Sequence, residues 1–413
     1  MNGLETHASQ TRKLVALACA SLVALVACDG TGSPARPRAE VAESDDDDAS
    51  PPIDDPAAAE TTAEPAETPT QLGRACADGV RMPLGNAYTT LVCLPHLDAI
   101  HYWEAAAEWS AYDRAPVTVA ILDLSFITDH PDIAPSVDIT WNFLEAGCTT
   151  FDLGKSACRD VAPDVPERVP LPALGEEPIK LVHGTMLAGL IAGRGAPGRG
   201  IVGVNPSAKL DLFVRDLETD NLASLRFAVE RRVDVISMSW PLGSQGGEKD
   251  VPEFRELLET ATRQGTVVVM AAGNSRIDVD QRAVYPTRYS TIPGVIAVGS
   301  IDEDGDFYAQ FSNYGPTYVE LAAPGMAASS GGDFAEGRYS VQIGTSYSGP
   351  MVAGAVSRVV QYLKTKRAAY SAADVERLVL EGSATSPKLT RYFKDGRRLD
   401  MSTLLAHVKA TLP

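Results

Sequence analysis

Residues Pro116 to Leu124 read PVTVAILDL, a nearly continuous run of apolar and β-branched side chains that stops at Asp123. A strand with one wet face alternates apolar and polar residues. A strand covered on both faces does not need to, so this run predicts a buried strand in a parallel sheet. The same texture returns in AKLDLFVRD (208–216), VDVISMSW (233–240), TVVVMAAGN (266–274) and GVIAVGSID (294–302). Helical spacing fills the gaps between them: HGTMLAGLIAG (183–193), NLASLRFAVERRV (221–233) and EFRELLETATRQG (253–265). Strands and helices in alternation predict βαβ units, hence an α/β fold with a mainly parallel β-sheet and helices on both faces. Two further helices are expected near the end, in SAADVERLVLEGS (371–383) and MSTLLAHVKATL (401–412). Ligands of such sheets bind beyond the carboxyl ends of the strands. Asp123, Ser239 and Asn274 each stand at or just past such an end.

Outside this region the chain changes character. Between Asp29 and Thr70 there are twelve Asp or Glu against Arg36 and Arg38, so this stretch carries more than half of the net charge of −18. Strong net acidity argues against nucleic acid as a partner. Residues 28–72 are rich in Pro, Ala, Asp and Glu and lack the large apolar side chains needed to bury a core, the composition of a disordered tether. Ahead of it, Arg12 and Lys13 precede LVALACASLVALVA (14–27), an apolar run short for a bilayer span. A basic flank followed by such a run predicts a signal peptide over residues 1–27. Its end, LVAC (25–28), resembles the lipobox of bacterial lipoproteins, which implies acylation at Cys28 and an extracytoplasmic, lipid-anchored location in the cell envelope. With Cys19 inside the signal, Cys76, Cys93, Cys148 and Cys158 remain, an even number suited to an oxidising compartment. Four cysteines allow three pairings, and proximity favours Cys76–Cys93 with Cys148–Cys158. No paired CxxC spacing supports zinc instead. The Pro-rich stretch 148–178 reads as a surface loop stapled by one of these bridges.

The segment IGTSYSGPMVAGAVSRVVQYL (343–363) places Thr345 and Ser346 ahead of an apolar helical pattern. A Ser there commonly caps the helix and does nothing else. A hydrolytic Ser needs a base, a group to orient that base, and donors for the oxyanion. His183 at a helix start, Asp123 at the end of a buried strand and Asn274 after another strand could supply them, although each alone also suits a cap or a turn. Asp before His before Ser is one of the known chain orders of the same triad geometry.

Together with their flanks these residues resemble the subtilisin-like serine proteases, the subtilases. VAILDLSFITDHPDI, HGTMLAG, AAGN and GTSYSGPMVAG correspond to the four main blocks, and ISMSW, YPTRYSTIPGVIAVGSID and FSNYGPTYVELAAPG follow the family's order over roughly residues 100 to 370. The resemblance implies the three-layer subtilisin-like fold in a peptidase domain over 73–413, and an endopeptidase acting on protein or peptide substrates. Ser346 would be the nucleophile, His183 its base and Asp123 the orienter, with Asn274 and the Ser346 N–H forming the oxyanion hole. Ser239 would begin the segment that pairs with substrate, and Gly273 would border the pocket for the residue before the cut.

Some positions depart from the pattern. Leu124, Ser125 and Ile127 replace the usual residues after the Asp, and Tyr347 follows the Ser. Trp240 and Pro241 stand where a glycine-rich strand is usual; Pro241 removes a main-chain donor, and Trp240 would offer an apolar face to substrate. No folded prodomain is expected where the tether lies. Catalysis needs no cofactor. Structural calcium is an open expectation: Asp132 matches a position that ligates it in the family and equally suits a turn, and DEDGD (302–306) equally suits a hairpin tip. Two other readings compete. A binding lipoprotein on an impaired subtilase scaffold would keep the fold without the chemistry. An α/β-hydrolase esterase fails, because no G-x-S-x-G surrounds Ser346 and its chain order differs.

Overall fold

The computed structural model describes residues 80–84, 87–92, 94–142, 183–195, 200–215, 222–242, 250–302, 304–308, 310–330 and 339–412. All belong to one compact unit, Thr70–Pro413. The signal peptide, Cys28, the tether, the four remaining cysteines and the loop 148–178 lie outside the described residues.

The run PVTVAILDL forms strand β3 (Thr118–Asp123), with every residue after Thr118 buried. It pairs in parallel with β5 (Lys209–Val214) on one side and β6 (Val235–Met238) on the other. Parallel pairing continues through β7 (Val267–Ala271), β8 (Val295–Ile301) and β9 (Leu321–Pro324), while β4 (Val137–Asn142) joins beyond β5. At the far edge β13 (Arg397–Arg398) runs parallel to β9 and pairs antiparallel with β12 (Ala384–Thr385). The order across this nine-stranded sheet is β12-β13-β9-β8-β7-β6-β3-β5-β4.

Successive strand residues point to opposite faces, and two cores separate accordingly. Val119, Ile121, Leu210, Leu212, Val267 and Val269 pack with helices α3 (His183–Ala192) and α6 (Thr345–Lys366). Ala120, Leu122, Phe213, Met238, Val268 and Met270 pack with α4 (Ala223–Arg231) and α5 (Pro252–Arg263). This is the expected three-layer architecture. Helix α6 shows why its sequence lacks a polar stripe: Thr345 to Leu363 are all buried, since the helix runs through the first core. Two closing helices, α7 (Ala372–Gly382) and α8 (Met401–Thr411), also form as the sequence predicts.

Several short elements carry no clear sequence signal. They are α1 (Pro95–Ala99), α2 (Tyr102–Trp109), and the hairpins β1 (Val80–Leu84) with β2 (Ala87–Val92) and β10 (Met326–Ser330) with β11 (Tyr339–Ile343). Strand β11 leads straight into α6 and brings the chain to Ser346. Among the described residues, no helix is long and apolar enough to cross a membrane.

Candidate active site

The carboxyl end of β3 delivers Asp123, which is only 2% exposed. Its Oδ1 accepts the Leu124 N–H at 2.7 Å, and both oxygens lie 2.9 Å from His183 Nδ1. A buried carboxylate is costly unless paired, and here both oxygens meet one imidazole while Oδ1 also takes a backbone N–H. With Nδ1 committed to Asp123, Nε2 is the nitrogen left for proton transfer. His183 opens α3 with its side chain 18% exposed. Burial alone would lower its pKa, but the Asp123 charge and hydrogen bond outweigh it, so His183 titrates above the ordinary histidine value.

Ser346 is the second residue of α6, not its cap. Gly344 holds the cap position with φ 148° and has no side chain to cap with. The Ser346 hydroxyl is therefore free for other work at a helix N-terminus, where the dipole favours negative charge. It donates a long 3.5 Å hydrogen bond to the Ser239 carbonyl and is not hydrogen-bonded to His183. Pro350 explains another feature of this turn. Lacking an N–H, it leaves the Ser346 carbonyl, four residues earlier, without its helical donor. The Ser239 hydroxyl supplies one at 3.2 Å. Ser239 and Ser346 are thus stitched together in both directions.

Asn274 follows β7 and is exposed. Its Oδ1 accepts both the N–H and the hydroxyl of Thr345, each at 2.8 Å. The oxygen is thereby occupied, and the amide nitrogen is left to donate outward. Gly344 keeps that nitrogen accessible, because a Cβ there would approach Asn274 Nδ2 to 3.3 Å. On the other side, Gly273 adopts φ +100° and a Cβ would stand 2.5 Å from Asn313 Nδ2. Asn313 braces the whole turn: its Oδ1 accepts the N–H groups of Ser275 and Ile277, and its amide donates to the Ala272 carbonyl. Neither Thr345 as the holder of Asn274 nor Asn313 as its brace was evident in the sequence. Both act through long-range hydrogen bonds that no local pattern records.

Trp240 is engaged with the framework. Its indole N–H donates to the Leu122 carbonyl at 3.0 Å, and its ring meets Phe254 edge-on. The Arg215 guanidinium covers one ring face at 3.6 Å from the centroid. The apolar face expected from the sequence is therefore partly occupied by a cation that the sequence reading missed. Arg215 follows β5 and donates its N–H to the Asp123 carbonyl, so it too stands at the carboxyl ends of the strands. Pro241 follows, and the chain is then pinned by the Leu242 N–H to the Tyr285 carbonyl at 3.0 Å.

Neither candidate calcium position has the carboxylates of a calcium cage free to ligate. Asp132 is buried, and its Oδ2 already accepts the Ile201 N–H at 2.9 Å and the Ser330 hydroxyl at 2.8 Å. Asp302 Oδ1 accepts the N–H groups of Asp304 and Asp306, and Asp306 pairs with Lys388, the pattern of a hairpin tip. No group of three His, Cys, Asp or Glu able to hold a metal occurs among the described residues.

A hydroxyl at a helix start, a carboxylate-oriented imidazole and an outward amide donor, all at the carboxyl ends of parallel strands, define a serine hydrolase of the acyl-transfer type. Residues 114–396 match the subtilase family, and the chain belongs to that family. It is a subtilisin-like serine protease. Among its relatives, the major intracellular serine protease of Bacillus subtilis is 34% identical over 60% of this chain and 69% of its own length. Thermitase of Thermoactinomyces vulgaris is 29% identical over 61% of this chain and 77% of its own. The A-subunit of the AB5 toxin from E. coli shares the fold, with a TM-score of 0.56, 20% identity, and coverage of 76% of this chain and 98% of that one.

Proposed function

We propose that the protein is an endopeptidase that hydrolyses peptide bonds through an acyl-enzyme and works outside the cytoplasm, held to the cell envelope by a lipid on Cys28. The observation that carries the catalytic part is the Asp123–His183 pair, with both carboxylate oxygens 2.9 Å from Nδ1. In this reading Ser346 attacks the scissile carbonyl as His183 Nε2 takes its proton. Asp123 steadies the imidazolium, and the same proton passes to the leaving amine. The Asn274 amide and the Ser346 N–H receive the oxyanion. Water then repeats the sequence to release the acid. Ser239, Trp240, Pro241 and Gly273 would line the acyl side of the substrate.

A second reading, a binding lipoprotein without catalysis, draws on one observation: Ser346 Oγ faces the Ser239 carbonyl rather than His183. Catalytic hydrogen bonds are often loose without substrate and tighten in the Michaelis complex, so we favour the protease. Peptide hydrolysis by the wild type and by Ser346→Ala separates the two. The protease reading requires hydrolysis that the substitution abolishes in a folded protein; a wild type inert toward a broad peptide library favours the binding role.

Anchoring is supported by sequence alone: the lipobox-like LVAC at 25–28 and the acidic tether after it. Several acyl chains on one residue hold a protein to a membrane where a single chain holds it marginally. Metabolic labelling with a fatty-acid analogue should mark the wild type and miss Cys28→Ser. Equal labelling of both would refute the anchor.

A further inference from the structure

We infer that Tyr347 is the positioning residue that sets His183 against Ser346, an inference that rests on the protease reading above. Tyr347 follows Ser346 directly on α6 and is 3% exposed. Its ring meets the His183 imidazole with centroids 6.0 Å apart and planes at 66°. Tilted, edge-to-face contacts of this kind are the preferred geometry of aromatic pairs. The phenol hydroxyl donates to Met186 Sδ at 3.6 Å. Met186 lies three residues after His183 on α3, on the same helical face. One side chain thus touches the imidazole and the turn that carries it, while its own backbone adjoins the nucleophile.

The consequence is mechanical. His183 reaches the site from α3 and Ser346 from α6, and Asp123 fixes only the Nδ1 edge of the imidazole. Rotation of the ring about that edge is what Tyr347 limits. Burial, and then the Asp123 charge, push the phenol far above its ordinary pKa, so the hydroxyl stays a donor over the working range. Asp123 is the charged group that acts on His183 among the described residues, and Tyr347 faces the imidazole as a neutral partner. Replacing Tyr347 therefore alters placement without adding or removing a charge.

The test compares Tyr347→Phe with Tyr347→Leu in the full-length protein. Loss of the ring is expected to lower kcat about 3- to 10-fold, the value of one aromatic pair, with KM changed less than about twofold. Phe keeps the ring and should stay within about twofold of wild type. NMR of the Ser346→Ala protein supplies a readout that needs no activity. The His183 Hε1 resonance should carry a ring-current displacement that Tyr347→Phe preserves and Tyr347→Leu abolishes. Wild-type kcat in folded Tyr347→Leu overturns the inference, as does a Phe variant that falls as far as Leu. Should Tyr347→Leu fail to fold, the Phe variant and the resonance in the parent protein still decide the matter, because an undisplaced His183 signal rules out the contact. Absence of any hydrolysis by the wild type would instead count against the protease reading, and the resonance would judge Tyr347 separately.

Discussion

Asp123 and Glu320 are both carboxylates with 2% exposure, and each faces a basic partner. They spend that burial differently. Asp123 places both oxygens on His183 and takes the Leu124 N–H as well. Glu320, just before β9, accepts from Lys394 through Oε1 at 2.8 Å, and its buried Oε2 has no hydrogen-bond partner among the described residues. Burial, reinforced by the nearby Glu376, pushes Glu320 up to about 7, against the opposing pull of Lys394 and Arg397. Burial sets the cost, and the number of directed partners decides how far it is offset. At Asp123 the directed contacts orient an imidazole. At Glu320 the fold tolerates a carboxylate that protonates near neutrality.

The largest expected effect comes from breaking the satisfied member. Asp123→Asn keeps the shape but lets His183 adopt the wrong tautomer, and kcat should fall about 10,000-fold, the magnitude known for this change in a Ser-His-Asp triad. Steady-state kinetics would show it, with the unfolding midpoint nearly unchanged. A drop below tenfold would mean that Asp123 does not orient the base.

Next is the proposed oxyanion donor. Asn274→Ala should cost about 100- to 1,000-fold in kcat, a size measured for such a donor in subtilisin itself, with little change in KM. Thr345→Val, which removes one of two hydrogen bonds to Asn274 Oδ1, should cost much less, about 3- to 10-fold. If Thr345→Val matched Asn274→Ala, the hydroxyl would have to meet the substrate itself.

The last effect sits at the unsatisfied carboxylate, is read in stability and not in rate, and has the opposite sign. Glu320 has a folded pKa of about 7, raised from 4.5, so the folded state holds a proton that the unfolded chain releases. Stability from this group is therefore complete below about pH 4.5, declines as pH rises toward 7, and is flat above it. Glu320→Gln removes the ionisation and should stabilise the protein at pH 8 by about 1–3 kcal/mol. Denaturant unfolding at pH 8 and pH 4.5 should show the gain only at the higher pH. A gain equal at both values would point to packing, not charge.

The same contrast explains what the sequence revealed. Asp123, His183, Asn274 and Ser346 could be read because each interrupts a strong local pattern: a strand end, a helix start, a turn. The strands β3, β5, β6, β7 and β8 were legible from unbroken apolar runs. Thr345, Asn313, Arg215 and Glu320 were not, because their roles depend on partners 25 to 92 residues away, as in Arg215 to Trp240, Thr345 to Asn274 or Arg215 to Asp123. The β10–β11 hairpin escaped for a related reason: MAASS lacks β-branched residues and draws its stability from pairing.

The most direct test of the central claim is a fluorophosphonate probe, followed by mapping of the adduct. Only a Ser activated by a neighbouring base reacts readily with it. One adduct is expected, on Ser346, formed faster as pH rises through the His183 titration and lost in His183→Ala. Labelling at another residue, or at Ser346 with a rate indifferent to His183, would contradict it.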